Sequence, residues 1–367
     1  MTAYLTPLCP AISTQQRLNQ MKLPFDVINP IKYPNWDELL LRNNNCTIFH
    51  TSAWAKVLNE AYGHEPVYFS LIENGKFSAL IPVMEVRSIL TGRRGVSLPF
   101  SDYGNLILAP GMQLKDVISM VHPFGQQRGW KFFELRDAND LCSDIQPSSC
   151  FYGHIAHLSP DEGKLFSSFR SSTKRNIQKA IQENVKTEIS QSLGSIKEYY
   201  QLHCITRKWH GLPPQPFHFF KKIHEHIISR KMGFVILASY RKKIVAGAVY
   251  LHFDRTALYK YGASDRAYQH LRANNLIMWE AIKWYAQNGF KTFCFGRTEM
   301  NNTGLLQYKS GWGTRERMIK YYRYDLQKEV FVRQVSLKTN SSLNKILRKM
   351  PIPCLTLIGA LSYRHIG

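Results

Sequence analysis

Apolar side chains recur at helical spacing across residues 274–288, and this pattern predicts a helix there. A strand-like run over residues 291–295 follows, and a polar loop then leads into a second helical segment. Arg297 lies just after the strand, and Lys309 lies in the second helical segment. Ligands of open α/β sheets bind at the carboxyl ends of strands. The sequence therefore predicts that Arg297 and Lys309 share one site.

The order hairpin, strand, helix, strand occurs twice along the chain. The first hairpin, 67–83, turns at an Asn-Gly pair, the strongest short hairpin signal, and its later counterpart spans 234–250. The segments 129–135 and 289–295 resemble each other, and each follows a helical stretch. An internal repeat of this kind predicts a tandem duplication of one α/β fold.

The repeat divides the chain into parts, and 367 residues are enough for two packed domains. We predict a loose leader over 1–30, a first domain over 31–157, a second domain over 158–327 and a basic tail over 328–367. The overall class is α/β (α+β) with a duplicated domain.

The net charge of +22, from 48 Lys and Arg against 26 Asp and Glu, changes this picture by favouring an anionic partner. Nucleic acid, a phosphorylated substrate and an acidic membrane all fit, and so does a generally basic protein with no such partner. The charge is spread along the chain, so it does not choose among these alternatives.

The seven cysteines are scattered and form no C-x-x-C motif, so the sequence predicts neither a zinc site nor a disulfide framework, and no metal site. A reduced, cytoplasmic setting fits this cysteine usage best. We expect no signal peptide and no membrane span, because the chain shows neither pattern.

The tail combines cations with a short apolar run. Residues 328–367 hold seven Lys or Arg and one Glu, and an apolar run at 351–361 follows Lys345, Arg348 and Lys349. That run is too short to span a bilayer. The segment 345–361 is expected either to lie in the interface of an anionic membrane or to pack as a helix on the body of the protein.

Five segments in order resemble FemAB-type transferases, and the resemblance covers about residues 35–325: 171–180, 261–265, 274–284, 295–298 and 308–313. The resemblance implies two GNAT-like domains, each a mixed sheet flanked by helices. Peptidoglycan members of the family move an aminoacyl group from charged tRNA onto the amine of a precursor. Others, including a subgroup similar in its basic tail, are linked to exopolysaccharide and PEP-CTERM/exosortase systems.

The resemblance implies two catalytic residues. It places Lys309 at the acyl donor, where an ammonium would stabilise charge on the carbonyl oxygen or hold a phosphate. The alternative is a surface lysine on an exposed helix. Asp102 loosely matches a first-domain pattern and would orient the acceptor amine or accept its proton, although a carboxylate that caps a turn fits equally well.

The remaining candidates would bind substrate. Arg297 would clamp a phosphate, or else form a structural salt bridge. Lys174 and Arg175 form a basic pair suited to a diphosphate or a nucleic-acid backbone, or else to a solvated helix face. Four aromatic residues complete the set: Tyr103, Tyr261, Tyr308 and Trp312.

The donor is expected to be aminoacyl-tRNA or acyl-CoA, with no permanently bound cofactor. The loop at 211–216 is too short for the charged coiled-coil arm that some family members insert, which argues against tRNA. The CoA-binding turn of GNAT enzymes needs a glycine where this chain has Arg272, and a side chain there hinders approach to a pyrophosphate.

Three functions follow as hypotheses. The first is an N-acyl- or aminoacyltransferase for an envelope or exopolysaccharide precursor, either nucleotide-sugar or lipid-linked, at the cytoplasmic face of the membrane. The second is an acetyl-CoA-dependent N-acetyltransferase. The third is a non-catalytic basic module that binds anionic lipid or tRNA. The oligomeric state does not follow from the sequence.

Overall fold

The computed structural model describes residues 25–43, 45–138, 144–333 and 341–366. Its helices are α1 Trp36–Leu41, α2 Ser52–Tyr62, α3 Leu114–Gln127, α4 Glu162–Ser168, α5 Ser171–Gln182, α6 Leu193–His210, α7 Phe217–His226, α8 Ala273–Gln287, α9 Thr303–Ser310, α10 Ser341–Lys349 and α11 Ile352–Ser362. Its strands are β1 Asp26–Ile28, β2 Glu65–Pro66, β3 Tyr68–Glu73, β4 Lys76–Ile81, β5 Val83–Ser88, β6 Gly92–Ser97, β7 Trp130–Arg136, β8 Ser149–His157, β9 Lys186–Ser190, β10 Gly233–Tyr240, β11 Lys243–Phe253, β12 Thr256–Ser264, β13 Thr292–Glu299, β14 Arg315–Asp325 and β15 Val330–Val332.

One large mixed sheet runs through both halves of the chain. Its strand order is β2-β5-β6-β7-β14-β8-β13-β12-β11-β10-β9, with β15 added on β14, and β1, β3 and β4 form a small separate sheet. β6 pairs with β7 in parallel and β12 pairs with β13 in parallel, while the other pairings are antiparallel. The mixed α/β class predicted from the sequence is confirmed.

The same order of strands occurs on both sides of the middle of the large sheet. The series β5-β6-β7-β14 on one side matches β11-β12-β13-β8 on the other, and in each a helix joins the two parallel strands. β7 and β13, which the sequence predicts to be equivalent, occupy matching places. β14 lies between β7 and β8, so the boundaries 31–157 and 158–327 do not divide the sheet and stay a prediction.

β10 and β11 carry nearly continuous runs of buried residues because both faces of the sheet are covered there, while successive side chains point to opposite faces. Phe234 and Ile236 pack with α8 on one face, whereas Val235 and Leu237 belong to the core formed with α6 and α7 on the other. A strand covered on both sides by helices is held rigidly, which fixes the geometry of the strands that follow it.

The structure corrects the expectation for the first residues of the chain and decides between the two alternatives for the packing of the tail. The predicted leader lies mostly outside the described residues, but residues 26–28 within it form β1 and pair with β3. The tail helices α10 and α11 pack on α6, as one of the two alternatives predicts. Leu355 is fully buried, and Gly359 lies so close to the Pro214 carbonyl that no side chain would fit. Among the described residues, no helix is both long and apolar enough to cross a membrane.

Candidate active site

The site opens where two parallel strands separate. β12 and β13 pair over only three positions, Thr256–Leu258 with Thr292–Cys294. Past these positions a cavity of about 460 Å³ lies between the strands. Its lining includes three cations and one carboxylate, namely Lys260, Arg297, Lys309 and Asp102. The separation of the strands therefore creates a polar pocket at the carboxyl ends of a sheet.

Asp102 forms a largely buried ion pair with Lys260, a residue that sequence reasoning missed. The Lys260 Nζ donates to Asp102 Oδ2 at 3.0 Å, and the two side chains are only 5% and 15% exposed. Lys260 also donates to the Phe100 carbonyl at 2.7 Å and lies 4.9 Å from the ring centre of Phe49. The sequence feature that could have indicated Lys260 is a lysine between two tyrosines in the middle of a strand, two residues before Gly262.

The charges around Asp102 decide its protonation. Burial works against the carboxylate, but Lys260, Arg297 and Lys309 outweigh it, so the pKa of Asp102 is lowered. Burial lowers the pKa of Lys260, and Asp102 opposes that change. A carboxylate with a lowered pKa is a weak proton acceptor, so the pair is better suited to orienting a substrate amine than to removing its proton.

Lys309 is buried and is therefore not the surface lysine that was its alternative. It is 2% exposed, and its Nζ donates to the carbonyls of Gly296 at 3.0 Å and Arg297 at 3.1 Å. The register of β13 against β8 shifts between Cys294 and Arg297, and Gly296 has a positive φ of 68° within that irregularity. Burial lowers the pKa of Lys309 to about 8, although Asp102 opposes this. Two of its three ammonium hydrogens are bound, so one is left for a ligand.

Within the part of the chain that the structure describes, Arg297 is held by aromatic contacts rather than by the salt bridge that was its alternative. Its guanidinium donates to the Tyr321 hydroxyl at 2.8 Å and lies 4.3 Å from the ring centre of Phe151. The Tyr321 hydroxyl in turn donates to the Asp102 carbonyl at 3.0 Å. Tyr321 belongs to β14, so the strand inserted between β7 and β8 supports the site.

None of the four aromatic candidates lines the cavity between β12 and β13, although two of them lie close to residues that do. Tyr261 lies 5.1 Å from the Lys260 ammonium, and Tyr308 donates to the Asn274 carbonyl at 3.3 Å beside a neighbouring cavity. Tyr103 is buried with the Arg317 guanidinium 5.2 Å from its ring, and Trp312 is buried against Phe169. These last two residues shape the core around the site and do not line the cavity.

Lys174 and Arg175 lie on α5 and do not line the cavity. Lys174 donates to the Ser167 carbonyl at 2.8 Å, and Arg175 is exposed. The structure thus places this basic pair on a solvated helix face, outside the group formed by Lys309 and Asp102.

The N-terminus of α8 carries a smaller cavity of about 150 Å³. Arg272 adopts a positive φ of 58° there, the conformation that a glycine takes without strain. Asp265 lines the same cavity, accepts a hydrogen bond from the Ala267 amide and pairs with Lys243. A carboxylate and a long side chain at this helix end both work against a bound pyrophosphate.

The main cavity continues into a groove beside Trp209. A cavity of about 260 Å³ shares Thr206, His210 and Gln269 with it. The Arg266 guanidinium lies 3.7 Å from the Trp209 ring centre, and Arg348, from the tail helix α10, lies 5.7 Å from it. The site therefore has room and charge for an elongated anionic substrate.

Comparison with known proteins first defines the class. A family model described as "Acetyltransferase (GNAT) domain" matches residues 167–310, which include Lys260, Arg297 and Lys309. A tandem GNAT protein from the clavulanic acid biosynthesis pathway is similar in structure, with a TM-score of 0.53 and 7% identity over 82% of this chain and 98% of that one. The fold is therefore a tandem GNAT fold.

Within that class the chain is similar to FemAB-type proteins, the resemblance that its sequence predicts. The structure of FemX is similar to it, with a TM-score of 0.64 and 12% identity over 80% of this chain and 95% of that one. A lipid II:glycine glycyltransferase of Staphylococcus haemolyticus (strain JCSC1435) is 29% identical over 115 residues, which are 29% of this chain and 27% of that protein. The match thus spans about a quarter of the curated relative's length. The link to exopolysaccharide and PEP-CTERM systems stays a prediction.

Proposed function

We propose that the chain transfers an acyl or aminoacyl group to an amine of a cell-envelope or exopolysaccharide precursor at the cytoplasmic face of the membrane. The observation that carries this proposal is the cavity between β12 and β13, where three cations surround Asp102. The FemAB-like resemblance supports the same reaction class, because the curated relative is named for glycyl transfer.

The reaction requires a held carbonyl, a neutral amine and stabilisation of an oxyanion. The amine nitrogen attacks the donor carbonyl carbon, and the carbonyl oxygen gains a negative charge. Lys309 carries the one uncommitted ammonium hydrogen described above, and we assign it to this oxygen. The bond to the leaving oxygen or sulfur then breaks, and the leaving group takes up the proton that the amine loses.

Asp102 is assigned to the acceptor. Its carboxylate is fixed by Lys260 on one side, and on the other it lies so near Gly296 that a Cβ there would come within 3.4 Å of it. An acceptor amine that donates to this carboxylate would be placed beside the carbonyl that Lys309 polarises. Arg297 and the groove at Trp209 would hold the anionic part of the donor or acceptor.

A second candidate, acyl-CoA-dependent N-acetylation, is favoured by one observation, the matched GNAT acetyltransferase model. The side chains of Arg272 and Asp265 at the start of α8 argue against CoA as the donor.

The test is a transfer assay with purified protein. Charged tRNA or acyl-CoA is supplied with nucleotide-linked and lipid-linked amine precursors, and new amide is detected by mass spectrometry. Amide that forms with charged tRNA supports the first candidate, and amide that forms with acyl-CoA alone supports the second. A folded protein that binds tRNA or anionic lipid and forms no amide with any pair would instead be the non-catalytic binding module.

A further inference from the structure

The outer face of α11 is apolar and exposed. The helix contains no charged residue, and Leu357 and Leu361, one turn apart, are 62% and 63% exposed. Pro353 and Ala360 are exposed as well. The opposite face, with Leu355 and Gly359, packs against the body of the protein. A helix that exposes only apolar side chains on its outer face indicates a binding surface.

A second exposed apolar element lies at the turn between β5 and β6. Ile89 and Leu90 are 93% and 74% exposed. Arg94 ties this turn to the end of the tail, because its guanidinium donates to the Thr91 hydroxyl at 2.6 Å and to the His365 carbonyl at 2.7 Å. The hairpin tip and the tail are thus parts of one connected region.

This region is fixed to the body. Tyr363 is buried, its hydroxyl accepts from Arg207 at 2.7 Å, and it donates to the Pro213 carbonyl at 3.3 Å. The exposed side chains of α11 are therefore presented on a packed helix and not on a loose arm. A fixed surface loses little conformational entropy when it binds.

The positive charge of the tail favours an anionic partner over a second copy of this chain. No acidic residue follows Glu329, and Lys345, Arg348 and Lys349 are exposed on α10, beside the exposed Leu343 and Ile346. In a two-fold dimer of this chain through the tail, these cations would face their own copies without a counter-charge. Apolar side chains next to cations match the interface of an anionic bilayer.

We propose that the outer face of α11 and the hairpin tip at Ile89 and Leu90 together form a surface that inserts into the interface of an anionic membrane. The evidence for this surface is the exposure of its apolar side chains and the charge of the tail, and it does not depend on the transfer reaction. It extends the membrane contact expected of 345–361 by a second, separate insertion point in the first half of the chain.

Co-sedimentation with vesicles tests this surface on the full chain. The vesicles contain phosphatidylcholine alone or phosphatidylcholine with phosphatidylglycerol, and two double variants are compared, Leu357→Ser with Leu361→Ser, and Ile89→Ser with Leu90→Ser. Each pair should lower partitioning onto the anionic vesicles by about tenfold, because apolar area is lost from the bilayer interface. High salt should weaken wild-type binding without abolishing it.

Ile181→Ser is the matched control, because Ile181 is also an exposed apolar residue, 55% exposed, but lies on α5. It should bind vesicles as the wild type does, and all variants should melt as the wild type does. Wild-type binding by both serine pairs would overturn the proposal. So would a dimer in solution that dissociates in the Leu357 variant while no protein sediments with vesicles.

Discussion

Asp102 and Lys260 show how a residue-scale contact sets both stability and chemistry. Their ion pair joins two positions 158 residues apart. Both side chains are largely buried, so each charge needs the other as its counter-charge. No local pattern in the sequence predicts a contact between residues so far apart. Asp102 was predicted from family resemblance, but its partner could only be found once β12 and the loop after β6 were brought together.

Asp102→Asn should destabilise the protein, because it leaves the Lys260 ammonium buried without a counter-charge. We expect a loss of about 3–5 kcal/mol in the free energy of unfolding, measured with urea. Adding Lys260→Met should recover most of this loss, since the stranded charge is then removed. The double variant should still lack transfer activity, and recovery of transfer in it would show that the pair only holds the fold.

The lowered pKa of Lys309 predicts how stability and transfer rate depend on pH. Its pKa is about 8 in the folded protein and near the ordinary value of 10.5 when unfolded. Between these two values the unfolded chain binds the extra proton, so stability should rise with pH, by up to about 3 kcal/mol. Over the same range the folded ammonium loses its charge, so the transfer rate should fall. Urea unfolding at several pH values, with Lys309→Met as a control that lacks the rise, measures the first effect.

At the scale of elements, local periodicity predicted much of the fold. The hairpins, the parallel strands β7 and β13 and the helices that precede them follow from patterns within short segments. The insertion of β14 between β7 and β8 does not, because it pairs Tyr321 with Arg136 and Ser149 across long separations. The burial of Lys309 was missed for a similar reason, since the sequence alone does not show the irregularity at Gly296 that supplies its acceptors.

The start of α8 bears on the donor. Acetyl-CoA should give no measurable thermal protection, because Arg272 and Asp265 obstruct the place where a pyrophosphate would meet the helix. A ligand at about a hundred times its dissociation constant stabilises by about 2.7 kcal/mol, which a melting curve would show easily. Arg272→Gly is the matched variant for this test, because it removes the obstructing side chain while glycine keeps the same positive φ. Clear protection of the wild type by acetyl-CoA would favour the second candidate function.

At the scale of the whole molecule, the tail connects the two halves of the chain. The carbonyl of His365 accepts a hydrogen bond from Arg94 in the first half, while Tyr363 contacts Arg207 in the second. The sequence predicted the basic and apolar composition of the tail, and left open whether it packs. The packing depends on Leu355 and Gly359 meeting surfaces far away in the sequence.

Tyr363 should therefore matter to global stability. Tyr363→Phe removes two hydrogen bonds, one of them to a charged arginine, and should cost about 2–3 kcal/mol, whereas Tyr363→Ala also removes the buried ring and should cost about 3–5 kcal/mol. Urea unfolding of both variants gives the two values. If Tyr363→Ala unfolds as the wild type does, the tail is not a structural part of the protein.

The most direct test of the account is the transfer rate of Lys309→Met beside that of Arg175→Met. Both changes remove one cation, but Lys309 lines the cavity between β12 and β13 and Arg175 is exposed on α5. We predict that Lys309→Met lowers the rate about a hundredfold or more, as expected for the loss of an oxyanion donor, while Arg175→Met keeps the wild-type rate. A full rate in folded Lys309→Met, or an equal loss in Arg175→Met, would contradict it.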